Sequence, residues 1–271
     1  MTNQSDARDR PQLRGGFDAN LELPLADAYW ASLFANCVVT STPNLDALTA
    51  ALLDHRYDFA YLPSANCFFL RNDRSWRGLA SALSPSTKAP AQSSVFVVKR
   101  SNRATSWQQL KGAKPGYINT YCTTSYFASS ILLARDGLAL NDFFDAFAVA
   151  PWQGQIDAVV DGRIDATMVY EDVWLARPSN AAETRIIARL DDLPTPPVIA
   201  LAGLDAAFTS RLTAALMAYE PKPAPGTLYA GFASYQDMRM RRFFAELEKV
   251  PGLAATRAAD PQASAYKISS R

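Results

Sequence analysis

The chain is poor in the side chains that carry most metal and nucleophilic chemistry. It has one histidine, His55, and three cysteines, Cys37, Cys67 and Cys122, in 271 residues. Three cysteines leave at least one thiol unpaired, and their spacing matches no metal motif. A lone histidine removes the usual zinc ligand sets and the Cys/His catalytic pair. No metal and no cofactor is expected. Charge of one sign is absent as well: 27 Lys and Arg stand against 26 Asp and Glu, a net charge of +1. So even a balance argues against a nucleic-acid or membrane-surface partner. No uninterrupted apolar run approaches the roughly 20 residues that cross a bilayer. Met1 to Arg14 holds three Arg and two Asp and no apolar stretch, so it does not read as a secretory leader. A cytoplasmic chain, or one that follows a trimmed leader, is the expectation on that ground.

What is present is ordinary for a globular protein: 49% hydrophobic and 20% charged residues, with length enough for one large domain or two smaller ones. The informative stretch is Trp107 to Tyr126. It reads as a short helix over Trp107 to Leu110, a Lys-Gly turn, and a strand over Gly116 to Asn119. Cys122, Thr123, Thr124 and Ser125 then open a second helix that ends near Arg135. Ser and Thr hydroxyls accept the unpaired amides of a helix's first turn. The same turn offers free N–H groups and the positive end of the helix dipole, a seat for an oxyanion. A plain helix cap accounts for the same residues.

Elsewhere strands and helices alternate. Gly15 to Asn20 reads as strand and loop, leading to Leu21-Glu22-Leu23-Pro24. A helix from Asp27 or Ala28 carries Tyr29, Trp30, Leu33 and Phe34. Leu45, Leu48, Ala51 and Leu52 recur at helical spacing after Asn44. Tyr57 to Leu62 is a buried strand closed by Pro63, with Ser64, Asn66 and Cys67 just past its carboxyl end, where α/β sheets present ligand contacts. Ser93 to Lys99 is a strong strand and Arg100 to Thr105 a polar turn. A helix through Ile156, Val159 and Val160 stops at Gly162. Arg163 to Val169 is a strand, and Tyr170, Glu171 and Asp172 open the next helix. The prolines of Leu193 to Pro197 impose a stiff connector, and Pro221 to Pro225 a turn. Alternation of this kind predicts α/β layers with mostly parallel sheets. Crossings near 97–105 and 191–198 predict two lobes. Residues 13–98 and 197–271 would form the first and 99–196 the second, after a disordered tail over 1–12.

The order of these elements resembles the PhnD-like branch of ABC-transporter solute-binding proteins, which bind phosphate, phosphite or phosphonate. Four segments carry the resemblance. Leu45 to Leu62 with the Pro63-Ser64 turn is similar to the family's helix-then-strand unit. Ser106 to Asn119 is similar to its approach to the second lobe. Cys122 to Tyr126 falls where the family has Ser-Thr-Ser-Gly-Tyr, and Ile156 to Val173 matches its unit of helix, glycine and Asp-Ala, including Gly162, Ile164, Asp165 and Asp172. With the Pro196-Pro197 return strand, the likeness spans roughly residues 15 to 245. There are departures. Cys122 replaces a Ser, Ser125 a Gly, Trp152 a histidine and Tyr170 an acidic residue. An aromatic pair at the last two places favours a larger or less charged ligand group than an aminoalkyl chain.

The resemblance implies a type II periplasmic binding fold: two α/β lobes, a two-strand hinge, and a ligand cleft between them. It implies a periplasmic solute-binding protein that closes on a small oxyanion-bearing ligand (phosphonate, phosphate ester or sulfonate). An ABC-transporter permease would be its partner, and a monomer is expected. In this reading Cys122, Thr123, Thr124, Ser125 and Tyr126 form the oxyanion turn, and Ser64 and Ser94 reach it from the first lobe. Tyr29, Trp152 and Tyr170 line the remainder, and Glu171 or Asp172 meets a cationic substituent. Core packing accounts for the aromatics equally well. A different reading makes Cys122 the nucleophile of a cytoplasmic enzyme, since a thiol at a helix N-terminus can be activated. His55, at the end of a first-lobe helix, offers it no base. A third reading is a ligand sensor that docks on a signalling protein.

Overall fold

The computed structural model describes residues 12–21, 23, 28–222 and 227–253. Residues 1–11 of the expected tail, Glu22, Pro24, the helix start at Asp27, residues 223–225 of the 221–225 turn and the chain beyond 253 lie outside them. The first strands are β1 (Leu13–Asp18), β2 (Cys37–Thr42), β3 (Phe59–Tyr61) and β4 (Trp76–Ala82). Then come β5 (Ala91–Lys99), β6 (Pro115–Tyr117), β7 (Phe147–Ala148), β8 (Ala166–Tyr170) and β9 (Thr184–Pro194). The last are β10 (Pro197–Leu201) and β11 (Phe232–Ser234).

These strands form two sheets, β11-β4-β10-β3-β1-β2 and β7-β6-β8-β5-β9. The sheets are mixed rather than mostly parallel. β1 runs parallel to β2 and β3, and β6 to β7 and β8. β5 is antiparallel to both its neighbours, and so is β10. The periodicity that marks a buried strand carries no information on direction, and these two strands belong to the segments that carry the chain between sheets. The first change of sheet also differs from the expectation. β5 lies in the middle of the second sheet, paired with β8 and β9, so the chain changes sheets over residues 83–90 rather than 97–105. The return is at Thr195 and Pro196, inside the expected 191–198 window.

Local chemistry sets the element ends. Asn44 caps the helix Leu45–Leu53 by accepting from the Ala47 amide (3.0 Å), and Asp205 caps Ala206–Ala218 by accepting from Phe208 (2.8 Å). Gly162 stands just past Gln153–Val160 with φ 74°, a left-handed turn that a side chain would strain. At Gly15 the Phe59 ring lies 2.6 Å from where a Cβ would sit. β1 can therefore lie flush on that ring, which delivers Asp18 at its carboxyl end.

The two halves share an apolar core. Ala65 and Phe68, from the helix Ser64–Leu70, join Phe96, Tyr126 and Phe127 of the second half and Phe243 and Leu247 of the helix Asp237–Leu247. Ring centroids lie 5.8 Å apart for Phe68 and Phe244 and 6.4 Å for Phe69 and Phe127. Polar bonds cross at the same place: the Ala65 amide donates to Thr123 Oγ1 (3.1 Å), and the Tyr121 hydroxyl to Asp46 (2.6 Å). A separate aromatic core under the first sheet holds Phe17, Trp30, Phe34, Phe59 and Tyr61.

Candidate functional site

Between the halves lies a partly open cavity of about 350 Å³, its mouth included. The first half contributes Asp18, Asn20 and Leu21 from the end of β1 and Pro63 from the end of β3. The second contributes Ile118 and Asn119 after β6, Cys122, Thr123 and Thr124, and Trp152. Gln92, at the start of β5, and Pro196, in the return crossing, also reach it, and Tyr229 closes one wall. These are carboxyl-end positions of strands in both sheets, where open α/β sheets place ligands.

The Cys122 turn is not a plain α-helical start. Thr123–Phe127 is π-helical, with the Phe127 amide donating to Cys122 O (3.1 Å), and it runs directly into the α-helix Ala128–Ala134. A widened first turn of this kind is common at functional sites. First-turn amides have no acceptor within their own helix, and here that turn borders the cavity. The Thr123 and Thr124 side chains are buried, and Thr124 Oγ1 lies 3.5 Å from Cys122 Sγ. Trp152 sits at the head of the helix Gln153–Val160 with φ 54° and ψ −116°. A backbone conformation so rare for a residue with a side chain costs about 1–3 kcal/mol and tends to mark a working site.

Asp18 is the acid of the cavity. It is 3% exposed, and its Oδ1 accepts from both the backbone and side-chain N–H of Asn20 at 2.9 Å. Burial drives its pKa up to about 6, with the two Asn20 bonds pulling back. Across from it, Gln92 Nε2 donates to Pro194 O (2.7 Å), and the Tyr229 hydroxyl donates to Gln92 Oε1 (3.4 Å). Tyr229 is stacked on Tyr170 (5.9 Å, 20°). Burial pushes both phenols well above their ordinary value, so both stay neutral.

The residues singled out from sequence divide sharply. Cys122, Thr123, Thr124 and Trp152 line the cavity. Tyr170 stands one layer behind, beneath Tyr229. Ser125 accepts the Ile118 amide (3.2 Å), and Tyr126 packs edge-on against Tyr117 and Phe127. The Ser64 hydroxyl donates to Thr195 O (2.7 Å) and Pro194 O (3.1 Å), pinning the return crossing. Ser94 lies inside β5 with its hydroxyl buried and unpaired. Tyr29 is on the outer surface, donating to Ala215 O and packed on Trp30 and Tyr219.

Neither acid proposed for a cationic group faces the cavity. Glu171 is bound by Arg189 through two parallel hydrogen bonds. Asp172 accepts from Tyr170 (2.6 Å), Ser84 (2.7 Å) and the hydroxyl and amide of Ser86. It thereby ties the first crossing, 83–90, to the second sheet. Asp172→Ala takes the acceptor from the Tyr170 hydroxyl and the Ser86 amide and leaves Ser84 and Ser86 to bond each other (3.2 Å), and is expected to lower stability by about 2 kcal/mol. Thermal denaturation checks this, and a variant as stable as the parent would remove the role.

Sequence reasoning missed Asp18, Asn20, Gln92, Asn119 and Tyr229. The rule that favours strand carboxyl ends could have found Asp18 and Asn20, which lie in the segment read as strand and loop over Gly15 to Asn20. Nothing local marks Gln92 or Tyr229. The cysteine environment is equally plain. The His55 ring is 2.6 Å from Asp73 in the first half and supplies no base to Cys122. Cys67 is buried and its pKa pushed up to about 12, so it is inert.

Two α/β halves with a cavity framed by strand ends of both define the architecture of type II periplasmic binding proteins. The chain belongs to the phosphonate-binding family of ABC-transporter periplasmic substrate-binding proteins, whose model matches residues 33–241. This is a family of binding proteins, not enzymes. Solved structures agree on the fold. A Xanthomonas citri protein bound to ATP is 18% identical, with 88% of this chain and 97% of that one covered and a TM-score of 0.70. PhnD1 from Prochlorococcus marinus, in complex with methylphosphonate, is 14% identical (88% and 98% covered, TM-score 0.69). A binding protein component of a Pseudomonas aeruginosa ABC phosphonate transporter is 14% identical (89% and 87%, TM-score 0.64). No curated protein sequence matches the chain.

Proposed function

We propose that this chain binds a small oxyanion, of the phosphonate, phosphate-ester or sulfonate class, in the cavity between its halves. The observation that carries the reading is the π-helical turn at Cys122, Thr123 and Thr124, whose first residues border a cavity lined from both sheets. The amides of that turn and the Thr124 hydroxyl hold the oxyanion. Trp152 and Tyr229 enclose the rest of the ligand. Thr123 also accepts the Ala65 amide, so a ligand at this turn is sensed by the opposite half at once. A hinge at 83–90 and 195–196 then lets the ligand shift the balance between open and closed forms. The lobes this implies are built on the first sheet, over 13–82 and from 197 on, and on the second sheet, over 91–194. The family's setting supports a periplasmic protein that delivers its ligand to an ABC permease.

Calorimetric titration with methylphosphonate, phosphate and methanesulfonate tests the reading. At least one is expected to bind saturably and to stabilise the protein by about 2.7 kcal/mol at a hundredfold excess over its Kd. Thr124→Val keeps the shape and removes one donor to a charged group. It is expected to weaken that ligand roughly 10- to 100-fold while leaving the ligand-free melting temperature close to the parent's. Unchanged affinity in Thr124→Val would place the oxyanion elsewhere.

A further inference from the structure

The cavity has an unusual charge inventory for an oxyanion site. Among the described residues its lining contains no Lys, Arg or His, and one carboxylate, Asp18. Asp18 is 3% exposed, and both Asn20 donors go to the same oxygen, Oδ1. Its other oxygen, Oδ2, has no partner among the described residues. The titratable groups that face Asp18 are Tyr61 of β3, Tyr229, and Cys122 of the π-helical turn. Both phenols are held neutral by burial. No cation from any of these elements balances the carboxylate. An ionised Asp18 would repel a fully ionised ligand in the same partly enclosed cavity, where like charges interact more strongly than in bulk water.

We propose that Asp18 reads a proton on the ligand: the site takes a phosphorus oxyanion that shares one proton with the Asp18 carboxyl and turns away sulfonates. This deepens the oxyanion-binding reading and rests on it. The chemistry is one proton between two oxygens. A monoprotonated phosphonate donates its P–OH to the free oxygen of ionised Asp18. Where the ligand arrives as a dianion, one proton is taken up from solvent and the same O–H···O pair results. Phosphate esters exchange their second proton near pH 6, within this working range. A sulfonate holds no proton at such pH, so Asp18 itself must be protonated before a sulfonate can enter. Asp18 lies ahead of residues 33–241, the stretch matched by the family model.

The test is calorimetry with methylphosphonate and methanesulfonate from pH 5 to 8, in buffers of different ionisation enthalpy, on the parent and Asp18→Asn. The parent is expected to bind methanesulfonate about tenfold more weakly for each pH unit above 6. It is expected to take up close to one proton when it binds methylphosphonate at pH 8. In Asp18→Asn the sulfonate affinity no longer falls with pH and the proton uptake disappears. If methylphosphonate binds without proton exchange and methanesulfonate affinity is flat with pH, the proton-reading role is overturned and the oxyanion site stands. If neither probe binds at any pH, both are overturned. The parent's pH series decides the matter alone if Asp18→Asn fails to fold.

Discussion

Asp18→Asn is expected to be more stable than the parent protein at pH 7.5. The Asp18 carboxyl, with its usual value of 3.8, titrates at about 6 in the folded chain because burial penalises its charge. Between those two pH values the folded protein holds a proton that the unfolded chain has already released. Stability from this group therefore falls as pH rises through that window, by about 3 kcal/mol in all, and the loss is complete above pH 6. Asparagine keeps an oxygen for the two Asn20 donors and carries no charge to desolvate. Urea denaturation at pH 4 and pH 7.5 should show the variant recovering about 1–3 kcal/mol at the higher pH and little at the lower. A variant that keeps the parent's fall in stability between these pH values would remove Asp18 as its source. An acid kept at such a disadvantage in a cavity wall is what a binding role predicts, since function and stability compete at working sites.

Phe68→Ala is expected to cost about 3–5 kcal/mol and to weaken both halves together. The ring is 1% exposed, packs edge-on against Phe244 of the C-terminal helix, and carries the Arg71 guanidinium at 3.7 Å on its face. Its cluster holds residues of both sheets' halves, so the cavity left behind belongs to neither alone. Hydrogen exchange in β3 and β8 should accelerate in parallel, with a single denaturation transition at lower urea. Faster exchange in β3 with β8 unaffected would show that the halves unfold independently.

Much of the fold was legible because its signals are local. Asn44, Asp205 and Gly162 set helix ends by chemistry contained within a few residues, and the apolar spacing from Leu45 to Leu52 needs no partner to be read. The start of a helix at Cys122, Thr123 and Thr124 was legible for the same reason, since it is a matter of adjacent residues. Distant pairings were not. A buried run such as Ser93 to Lys99 is compatible with either sheet, and only its partners, β8 and β9, decide which. Ser64 and Asp172 stand just past strand ends, but their hydrogen bonds go to Thr195 and to Ser84 and Ser86. Those donors and acceptors lie roughly 85 to 130 positions away, so neither group faces the cavity. The π-helical widening at Thr123 likewise leaves no mark that distinguishes it from an ordinary α-helical start. Asp18 was within reach of the strand-end rule and was passed over because its neighbours, not its own position, carry its meaning.

The place of β10 in the first sheet has a consequence for synthesis on the ribosome. β10 lies between β3 and β4, yet it is made after every strand of the second sheet. When residue 194 has emerged, the second sheet has all five of its strands. The first has only β2-β1-β3 paired, with the β3 edge open and β4 still lacking both of its partners, β10 and β11. A nascent chain stalled between residues 194 and 201 should therefore present an open β3 edge that accepts a foreign strand, and the next seven residues both cover that edge and bring β4 into the sheet.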